Sequence, residues 1–440
     1  MTKNSTLPVS DVLMTFKDLR VAIVHHWLVT NGGAERVISA LLEVFPQADL
    51  FVPIATEQMA ARFAPNRVIT SFLQRVPGSH RFHRHLLPLF PLALEQFDLR
   101  GYDLVISSES GPAKGVLTST ETLHINYCHS PMRYIWDMYH EYTNGKEMKG
   151  VTRLIFIGVA HYMRMWDLAS ASRVDSFVAN SINTAARIRK HYRRESAVIH
   201  PPVDVRRGYL ADSIGDYYLT VGRLVDYKRM DLAVEACTRL QRPLRVVGAG
   251  PQLKRLKERA GPSVRFLGDL TDEQLREQYA GCRALLFPGN EDFGIVPVEA
   301  QSFGRPVIAY GRGGALETVK STSLNEVFDP ESSTGIFFGE QQPESLARAI
   351  LQFESVESRF SPQFIRCHAQ LFDVCHFKSE MNDFISRRLA EHWKVAEPMQ
   401  QSTPFGAEYE SERGIGTTES VGGPLSTVGA ETIAAPHGDT

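Results

Sequence analysis

The sequence predicts an α/β protein built from two doubly wound parallel sheets. From about residue 20 onward, short apolar runs alternate with segments whose apolar residues recur at helical spacing. The chain has 440 residues, which is long for a single hydrophobic core, so we expect two domains of ordinary size. Strands that alternate with helices form parallel sheets covered by helices on both faces.

The first strand and helix illustrate this pattern. Residues 21–24 form an apolar run, an Asn31-Gly32-Gly33 turn follows, and apolar residues then line one helix face. A second helix is predicted over residues 231–240 on the same kind of spacing. Further strands are predicted at residues 104–106, 176–179, 217–221, 244–247, 264–267, 284–287, 307–309 and 335–338.

A Pro-Pro step within residues 198–214 interrupts the alternation and predicts the link between the domains. We therefore expect one α/β domain over residues 19–205 and a second over residues 206–375. The last helical segment, residues 376–394, has too few partners to fold alone and must pack on one of them. Residues 395–440 are rich in Gly, Ser, Thr, Glu and Pro, which predicts a disordered tail dispensable for chemistry.

Composition excludes several classes of protein. The net charge is -2, so no basic field indicates a nucleic-acid partner. The five cysteines are scattered without a CxxC pair, which is typical of reduced cytosolic thiols. Asp11 and Asp18 argue against a secretory signal, and the apolar run at residues 154–160 is too short to cross a bilayer. We expect a cytoplasmic protein.

The loop after the strand predicted at residues 217–221 carries a glycine and two cations. Gly222 lets a ligand approach the backbone, and Arg223 and Lys228 place positive charge beside it. Ligands of doubly wound sheets bind in loops at the carboxyl ends of strands, so this loop suits a diphosphate. The alternative is a pair of solvated surface charges.

The stretch GNEDFGIVPVEA, residues 289–300, follows the strand predicted at residues 284–287. Pro297 suits a first helical turn, so we predict a helix that begins near Gly294 and whose free N–H groups attract phosphate or sugar oxygens. Glu299 then lies inside the helix and Glu291 in the loop before it. The two carboxylates can bind different hydroxyls of one extended ligand. The alternative is that Glu299 only favours its helix and Glu291 only caps it.

Two more glycine-rich loops, at residues 31–33 and 311–314, expose backbone amides at strand ends, and Glu317 and Thr318 follow the second. Four such loops in two domains indicate a shared cleft. The phosphate-loop motif is missing, and no GxGxxG follows the first strand. No aspartates stand in DxD spacing, so we expect no metal cofactor, with Arg223 and Lys228 supplying the positive charge instead.

Together these residues resemble the retaining nucleotide-sugar glycosyltransferases of the GT-B fold, glycosyltransferase family 4. The resemblance spans about residues 20–390 and is strongest in GRLVDYKRMDLAVEA and FPGNEDFGIVPVEAQSFGRPVIAYGRGGALETV. NGGAERV, YCHSPMRYIWD and FVANSINTAARIRKHY are similar to a branch of bacterial mannosyltransferases of surface polysaccharides. The resemblance implies two Rossmann-like domains facing a cleft, the acceptor side first and the donor-nucleotide side second, with the last helix returning to the first domain.

The resemblance also implies roles for individual residues. Arg223 and Lys228 match the cations that hold the donor diphosphate. Glu299 matches the carboxylate on the ribose hydroxyls, and Glu291 matches the one on the donor sugar. Gly33 matches the glycine of the facing domain that approaches the phosphates.

His129 matches a histidine that lines the sugar and acceptor side of the cleft, and His25 or His26 compete for that role. The implied catalytic residues are Glu291, His129, Arg223 and Lys228. The implied donor-binding residues are Gly32, Gly33, Gly222, Arg223, Lys228, Asp292, Phe293, Gly294, Ile295 and Glu299.

The implied reaction moves a hexose from a nucleoside diphosphate to an acceptor hydroxyl with retained configuration, the leaving diphosphate taking the proton. By the branch resemblance the donor is GDP-mannose, in exopolysaccharide or lipopolysaccharide synthesis, and a UDP-hexose is the alternative. A sugar-nucleotide epimerase or a noncatalytic sugar-nucleotide sensor would also bind such a donor. Neither explains the acceptor-side resemblance in residues 124–137.

The acceptor side contains a basic and apolar segment. Residues 72–94 interleave Arg75, Arg81, Arg84 and three histidines with large apolar residues. Such a segment, like residues 153–166, can lie on an anionic membrane and receive a lipid-linked sugar, and the alternative is an ordinary helix at a cleft rim. The expected partners are a nucleotide-sugar donor and a lipid-linked or oligosaccharide acceptor, with peripheral contact to the inner face of the inner membrane.

Overall fold

The computed structural model describes residues 16–30, 32–144, 149–321 and 329–396, which belong to one compact unit. The first sheet contains β1 (Val21–His25), β2 (Asp49–Val52), β3 (Val68–Thr70), β4 (Leu104–Glu109), β5 (Leu123–Cys128), β6 (Ser176–Ala179) and β7 (Ser196–Val198). All pairings are parallel, in the order β3-β2-β1-β4-β5-β6-β7.

The second sheet is also parallel. Its strands are β8 (Tyr218–Val221), β9 (Leu244–Val247), β10 (Val264–Gly268), β11 (Leu285–Phe287), β12 (Val307–Tyr310) and β13 (Gly335–Phe338). Their order is β10-β9-β8-β11-β12-β13, which repeats the order of the first six strands of the other sheet. The predicted α/β class with two doubly wound sheets is confirmed.

The helices connect successive strands and cover both sheets. Those before the interdomain link are α1 (Gly33–Val44), α2 (Glu57–Arg62), α3 (Ser79–Phe82), α4 (Phe90–Glu95), α5 (Tyr139–Asn144), α6 (Gly150–Ser170) and α7 (Ile182–Tyr192). Those after it are α8 (Met230–Leu240), α9 (Leu253–Arg259), α10 (Asp272–Gly281), α11 (Ile295–Ser302), α12 (Ala315–Thr318), α13 (Pro343–Val356), α14 (Pro362–Ala369) and α15 (Val374–Ala396).

Each sheet is buried on both faces because its strands are apolar at consecutive positions. In β1, Val21 and Ile23 join the apolar cluster that contains α1, whereas Ala22 and Val24 join the cluster on the opposite face. Side chains alternate along a strand, so a continuous apolar run serves two cores at once. The second sheet likewise has an apolar cluster on each face.

The strand order reverses between β1 and β4 in the first sheet and between β8 and β11 in the second. Loops at the carboxyl ends of strands diverge at such a reversal and leave a crevice, which is where ligands of this fold bind. The predicted loops at residues 222–228 and 288–294 follow β8 and β11, so they flank the reversal in the second sheet.

Four strands of the first sheet, β2, β3, β5 and β7, were not predicted. The central strand β5 reads LHINYC, and its polar His124 and Asn126 hide the apolar pattern although both are fully buried. Ser107 on β4 resolves this conflict, because its hydroxyl lies 2.8 Å from His124 Nε2 and 2.9 Å from Asn126 Nδ2. Hydrogen bonds between neighbouring strands make these buried polar groups tolerable.

The helix predicted over residues 376–394 is α15, which begins at Val374 and ends at Ala396. Five of its residues join the core around α1 and the first sheet: Phe377, Met381, Phe384, Ile385 and Leu389. Two residues assigned to the tail, 395 and 396, therefore belong to the helix instead, and residues 397–440 lie outside the described part of the chain. Within the described residues, no helix is both long and apolar enough to cross a bilayer.

Candidate functional site

Lys228 and Glu291 form an ion pair at the strand reversal of the second sheet. Lys228 ends a short 3₁₀ turn after β8, Glu291 lies in the loop after β11, and Lys228 Nζ is 2.7 Å from Glu291 Oε1. Their side chains are 12% and 21% exposed. Burial lowers the pKa of Lys228, but Glu291 more than offsets this and raises it. Lys228 therefore stays charged, and both side chains remain partly accessible to a ligand.

Gly222 lies directly beneath this lysine. Its φ of +141° is a conformation that other residues rarely adopt, and a Cβ there would lie 3.1 Å from Lys228 Nζ. The glycine thus allows the ammonium group to lie close to the end of β8. Arg223 follows it, is exposed, and makes no hydrogen bond or ion pair with any described residue. It is therefore available to a ligand.

Helix α11 begins at Ile295, with Gly294 as its N-cap at a φ of +100°, as predicted. Glu299 lies in the middle of the helix, and both of its carboxylate oxygens are occupied. Arg36 Nη1 lies 2.5 Å from Oε1, and the Tyr279 hydroxyl donates to Oε2 at 2.8 Å. Glu299 raises the pKa of Arg36. Because Arg36 belongs to α1, this contact joins the two sheets.

The predicted Gly33 and Ile295 also meet between the two sheets. A Cβ built on Gly33 would lie 2.5 Å from Ile295 Cδ1, so only glycine permits this approach without a shift. The preceding Gly32 donates its N–H to Glu35 Oε2 at 2.8 Å, which holds the start of α1 in place. The structure therefore brings the glycine loop after β1 to the first turn of α11.

This contact yields a prediction. Gly33→Val should raise the KM for the sugar donor by about 5- to 150-fold, because overpacking a close contact costs roughly 1 to 3 kcal/mol. Ile295→Ala in the same chain should recover part of the loss by making room for the new side chain. Steady-state kinetics of the single and double variants would check this. Equal losses with and without Ile295→Ala would show that the contact is not the cause.

Asp292 is bound by two arginines of the first domain, one in the loop after β5 and one on α7. Arg187 Nη1 forms an ion pair with Asp292 Oδ1, and Arg133 Nη1 lies 3.6 Å from Oδ2. Arg133 Nη1 also donates to the Asn290 carbonyl at 3.2 Å. In this structure the carboxylate holds the loop after β11 against the first domain. Donor binding by Asp292 stays a prediction.

The side chain of Phe293 is only 3% exposed and packs between His200 and Phe372. Only its backbone can therefore face a ligand at the site. The loop at residues 311–314 supports the same stretch, because Gly314 N–H donates to the Glu291 carbonyl at 2.9 Å. A Cβ on Gly314 would lie 2.2 Å from Phe293 Cα, so this glycine serves a loop-to-loop contact.

Glu317 caps a helix of the other sheet. Its carboxylate accepts from Ile182 N at 2.8 Å and from Asn183 N at 3.1 Å, the first two amides of α7. His200 Nε2 lies 3.2 Å from the same carboxylate. A carboxylate at a helix N-terminus satisfies free N–H groups and complements the helix dipole. The sequence alone marks Glu317 only as a residue that follows a glycine loop.

His129, His25 and His26 form one cluster at the carboxyl ends of β1 and β5. His129 Nε2 hydrogen-bonds Ser108 Oγ at 2.9 Å, and His25 Nδ1 donates to the Ser108 carbonyl at 2.8 Å. Burial lowers the pKa of His129 to about 3 and holds that of His26 well below its usual value. Both rings are therefore neutral at physiological pH. The geometry places the three competing histidines together and does not choose among them.

A buried ion triad lies beside this cluster and was not predicted. Lys114 Nζ lies 3.3 Å from Glu109 Oε1 and bonds to Asp167, and all three side chains are at most 1% exposed. Burial raises the pKa of Glu109 to about 7. Burial alone would lower the pKa of Lys114, but Asp167 and Glu109 together raise it. The triad connects the end of β4 to α6.

Arg36, Arg133 and Arg187 bind the loop after β11 and α11, yet no role was predicted for them. All three lie in stretches that carried the branch resemblance, namely NGGAERV, YCHSPMRYIWD and FVANSINTAARIRKHY. Each of these first-domain stretches contains a cation, and residues 291–299 contain three carboxylates. This complementary charge is the sequence signal from which the contacts could have been predicted. Among the described residues, no group of three or more His, Cys, Asp or Glu side chains could hold a metal ion.

Two family models match the chain: Glycosyltransferase Family 4 over residues 31–207 and Glycosyl transferases group 1 over residues 206–363. The O-antigen chain mannosyltransferase C of Escherichia coli is 31% identical over 179 residues, 37% of this chain and 48% of that protein. The alpha-1,3/1,6-mannosyltransferase ALG2 of Saccharomyces cerevisiae is 24% identical over 400 residues, 73% and 75% of the respective chains. D-inositol 3-phosphate glycosyltransferase of Geodermatophilus obscurus is 30% identical over 185 residues, 34% of this chain and 41% of that protein.

The chain thus spans about half the length, or less, of the first and third of these relatives. Among solved structures, sucrose-phosphate synthase from Thermosynechococcus elongatus has a TM-score of 0.61 at 19% identity and covers 84% of this chain and 100% of its own. Anabaena Alr3699/HepE in complex with UDP-glucose has a TM-score of 0.60 at 16% identity, covering 83% and 99%. These two likenesses concern the fold alone. The GT-B fold and the two family models, which together run from residue 31 to residue 363, place this chain in glycosyltransferase family 4/group 1.

Proposed function

We propose that the chain is a retaining glycosyltransferase that moves a hexose from a nucleoside diphosphate to an acceptor hydroxyl. The observation that carries the proposal is the Lys228–Glu291 pair at the strand reversal of the second sheet, 2.7 Å apart and still accessible. Lys228 with the unpaired Arg223 supplies positive charge for a diphosphate, and Glu291 supplies an acceptor for sugar hydroxyls. The catalytic assignment of Glu291, His129, Arg223 and Lys228 is part of this proposal.

In this proposal the cations stabilise the charge that develops on the leaving diphosphate, which takes the proton of the acceptor hydroxyl on the same face. Arg223 and Lys228 serve in place of a metal ion, so turnover requires none. The neutral His129 and His26 lie with His25 on the acceptor side, and all three can orient hydroxyls by hydrogen bonds. Preorganised groups of this kind act through charge stabilisation and cost no reorganisation during the reaction.

Glu299 is the proposed partner of the ribose hydroxyls. Arg36 and Tyr279 hold both of its oxygens, at 2.5 and 2.8 Å, so donor binding has to displace or share one of these contacts. Arg36 is the partner that gives way, because its side chain is 46% exposed and can rotate into solvent. Tyr279 is buried and keeps the carboxylate oriented.

The proposed donor is GDP-mannose, supported by two relatives named as mannosyltransferases at 31% and 24% identity. A UDP-hexose is the alternative, since a structure of the same fold is a complex with UDP-glucose. The proposed acceptor is a lipid-linked or oligosaccharide hydroxyl in exopolysaccharide or lipopolysaccharide synthesis. The relative named as an O-antigen chain mannosyltransferase supports that setting.

A panel of thermal unfolding measurements with GDP-mannose, GDP, UDP-glucose, UDP-galactose and UDP, each with and without EDTA, tests the donor. The cognate donor at about 100 times its Kd should stabilise the folded chain by about 2.7 kcal/mol. We expect the largest increase in Tm with GDP-mannose, unchanged by EDTA. Glu291→Ala is the matched control and should lose more of the response to the sugar nucleotide than to the free nucleotide.

A larger increase in Tm with a UDP-sugar than with GDP-mannose would identify a UDP-hexose, the alternative, as the donor. No response to any member of the panel would contradict the proposed site. Stabilisation that appears only with added magnesium or manganese would contradict the metal-independent mechanism.

A further inference from the structure

The longest helix of the first domain has an apolar face that no described residue covers. Helix α6 runs from Gly150 to Ser170, and its inner face is buried through Ala160, Met163, Asp167 and Ser170. Its outer face carries six large apolar side chains, the first three of which are 73%, 67% and 62% exposed: Val151, Leu154, Ile155, Tyr162, Met165 and Leu168. We call these six residues the α6 face.

The spacing of these residues makes the α6 face one continuous stripe. Positions three, four or seven apart lie on the same side of a helix, and the six residues follow that spacing over the whole helix. Single exposed apolar residues are ordinary on protein surfaces, whereas a contiguous patch marks a contact with a partner or a membrane. The α6 face is therefore a surface that is covered when the protein works.

The exposed charged residues at the start of α6 are cationic. Residues 149–166 contain no Asp or Glu, while Lys149 and Arg153 are exposed at the start of the helix. The only acidic residue of α6 is Asp167, which is buried with Lys114. Burial and pairing remove that carboxylate from the surface, so the exposed side of α6 is apolar and cationic.

The neighbouring segment extends the same surface. The 3₁₀ helix His83–Leu89 packs beside α6 through Leu87, and residues 72–94 contain no Asp or Glu. Leu89 and Leu92 are 44% and 52% exposed. Three more cations of this segment are exposed: Arg75, Arg81 and Arg84.

This surface lies near the loop of the candidate site. Tyr142 on α5, which packs on the inner side of α6 with Phe156, is 42% exposed. Burial raises the pKa of Tyr142, and the nearby cations Arg84, Arg133 and Arg223 partly oppose that shift. Arg133 also donates to the Asn290 carbonyl at 3.2 Å, so the surroundings of Tyr142 include a residue that contacts the loop of the candidate site.

We propose that the α6 face and the exposed side of residues 72–94 dock onto the surface of an anionic lipid bilayer. An amphipathic helix with an apolar stripe, a cationic rim and no surface acid lies in the plane of the headgroups. Tyrosines at the edge of such a stripe suit the boundary between headgroups and acyl chains. Docking brings the surroundings of Tyr142 to the membrane.

Charge favours the bilayer over a second copy of the chain. In a symmetric dimer built on this face, each cationic rim would lie against its own equivalent, and no carboxylate on the face would offset the repulsion. Anionic headgroups offset that charge, each surface cation strengthening attachment by about fivefold. The proposal rests on the proposed function only in its use of a membrane-bound acceptor, because docking itself requires no donor and no turnover.

Flotation of the full chain with vesicles tests the proposal without catalysis. Vesicles of phosphatidylcholine with phosphatidylglycerol should carry the wild-type chain, and vesicles of phosphatidylcholine alone should carry far less. Raising the salt concentration should release it. Leu154→Asp combined with Ile155→Asp should lower the bound fraction by at least about tenfold, since each residue loses its burial in the apolar layer. Arg153→Glu should lower it about tenfold or more as well.

Leu351→Asp is the matched control, because Leu351 is 47% exposed on α13 of the other domain and lies outside this surface. It should float like the wild type. The increase in Tm caused by the sugar nucleotide should be unchanged in all of these variants, which separates failure of docking from failure of the proposed function.

Three results would overturn the proposal. The first is a wild-type chain that does not float with the anionic vesicles. The second is a Leu154→Asp, Ile155→Asp chain that floats as well as the wild type. The third is light scattering that gives a dimer for the wild type and a monomer for that variant, which would assign the α6 face to a second copy.

Discussion

Lys228→Ala should leave a folded protein whose transfer rate is about 100- to 1000-fold lower, because it removes one preorganised cation from the charge that develops on the leaving group. Lys228 Nζ lies 2.7 Å from Glu291 Oε1 and close to Gly222, so the ammonium group is held at the end of β8. The effect should fall on kcat more than on KM, since the charge is largest in the transition state. Nucleotide release with a saturating donor and single-turnover transfer would measure it.

Two further variants make this test specific. Lys254→Ala removes an exposed lysine from α9 on the same sheet and should keep the wild-type rate. Lys228→Ala combined with Glu291→Ala should lose little more than the worse of the two single variants, because the residues act as a pair. A Lys228→Ala enzyme with a normal rate and a normal Tm would remove the basis of the proposed site.

Lys114→Met should lower the free energy of unfolding by about 3 to 5 kcal/mol, because it leaves two buried carboxylates without their cation. Lys114 is fully buried, and its partners Glu109 and Asp167 are also out of contact with water. Asp167 further accepts from Trp136 Nε1 at 2.7 Å and Tyr192 OH at 2.9 Å, so it cannot leave the interior. Urea unfolding followed by tryptophan fluorescence would measure the loss.

The pH dependence of this loss has a definite sign. A carboxyl group whose pKa is higher in the folded state favours folding at low pH, and this contribution is lost as the pH rises through the folded value. Burial raises the pKa of Glu109 to about 7 even with Lys114 present, and removing Lys114 raises it further. The destabilisation of Lys114→Met should therefore be larger at about pH 8 than at about pH 5.

Lys378→Met provides the comparison for a surface ion pair. Its partner Glu43 is 60% exposed, so the loss of that pair should cost about 1 kcal/mol or less. If Lys114→Met yields no soluble protein, Glu109→Gln and Asp167→Asn in the same chain should recover much of the stability by removing the unpaired charges. An unfolding midpoint unchanged by Lys114→Met would contradict the account of the triad.

The Lys228–Glu291 loop regions could be predicted from sequence because each follows its own strand. Residues 217–221 and 284–287 are apolar runs, and a loop after a strand of a doubly wound sheet lies at its ligand-binding edge. The start of α11 near Gly294 followed from Pro297 and the glycine itself. These predictions used only residues close together in sequence, so they needed no knowledge of which strands are neighbours in the sheet. The strand β5 was missed for the opposite reason, because its buried His124 and Asn126 depend on Ser107 of another strand.

The sequence by itself determined the α/β class, the strand-end loops and the residue types offered to a ligand, because apolar spacing and turn chemistry act over a few residues. Only the tertiary structure decided which side chains meet between the sheets. Arg36 reaches Glu299 across 263 positions of sequence, and Glu317 reaches the first amides of α7 across 135 and 134. Such contacts depend on how two separately folded sheets face each other, and local spacing in the chain carries no information about that orientation.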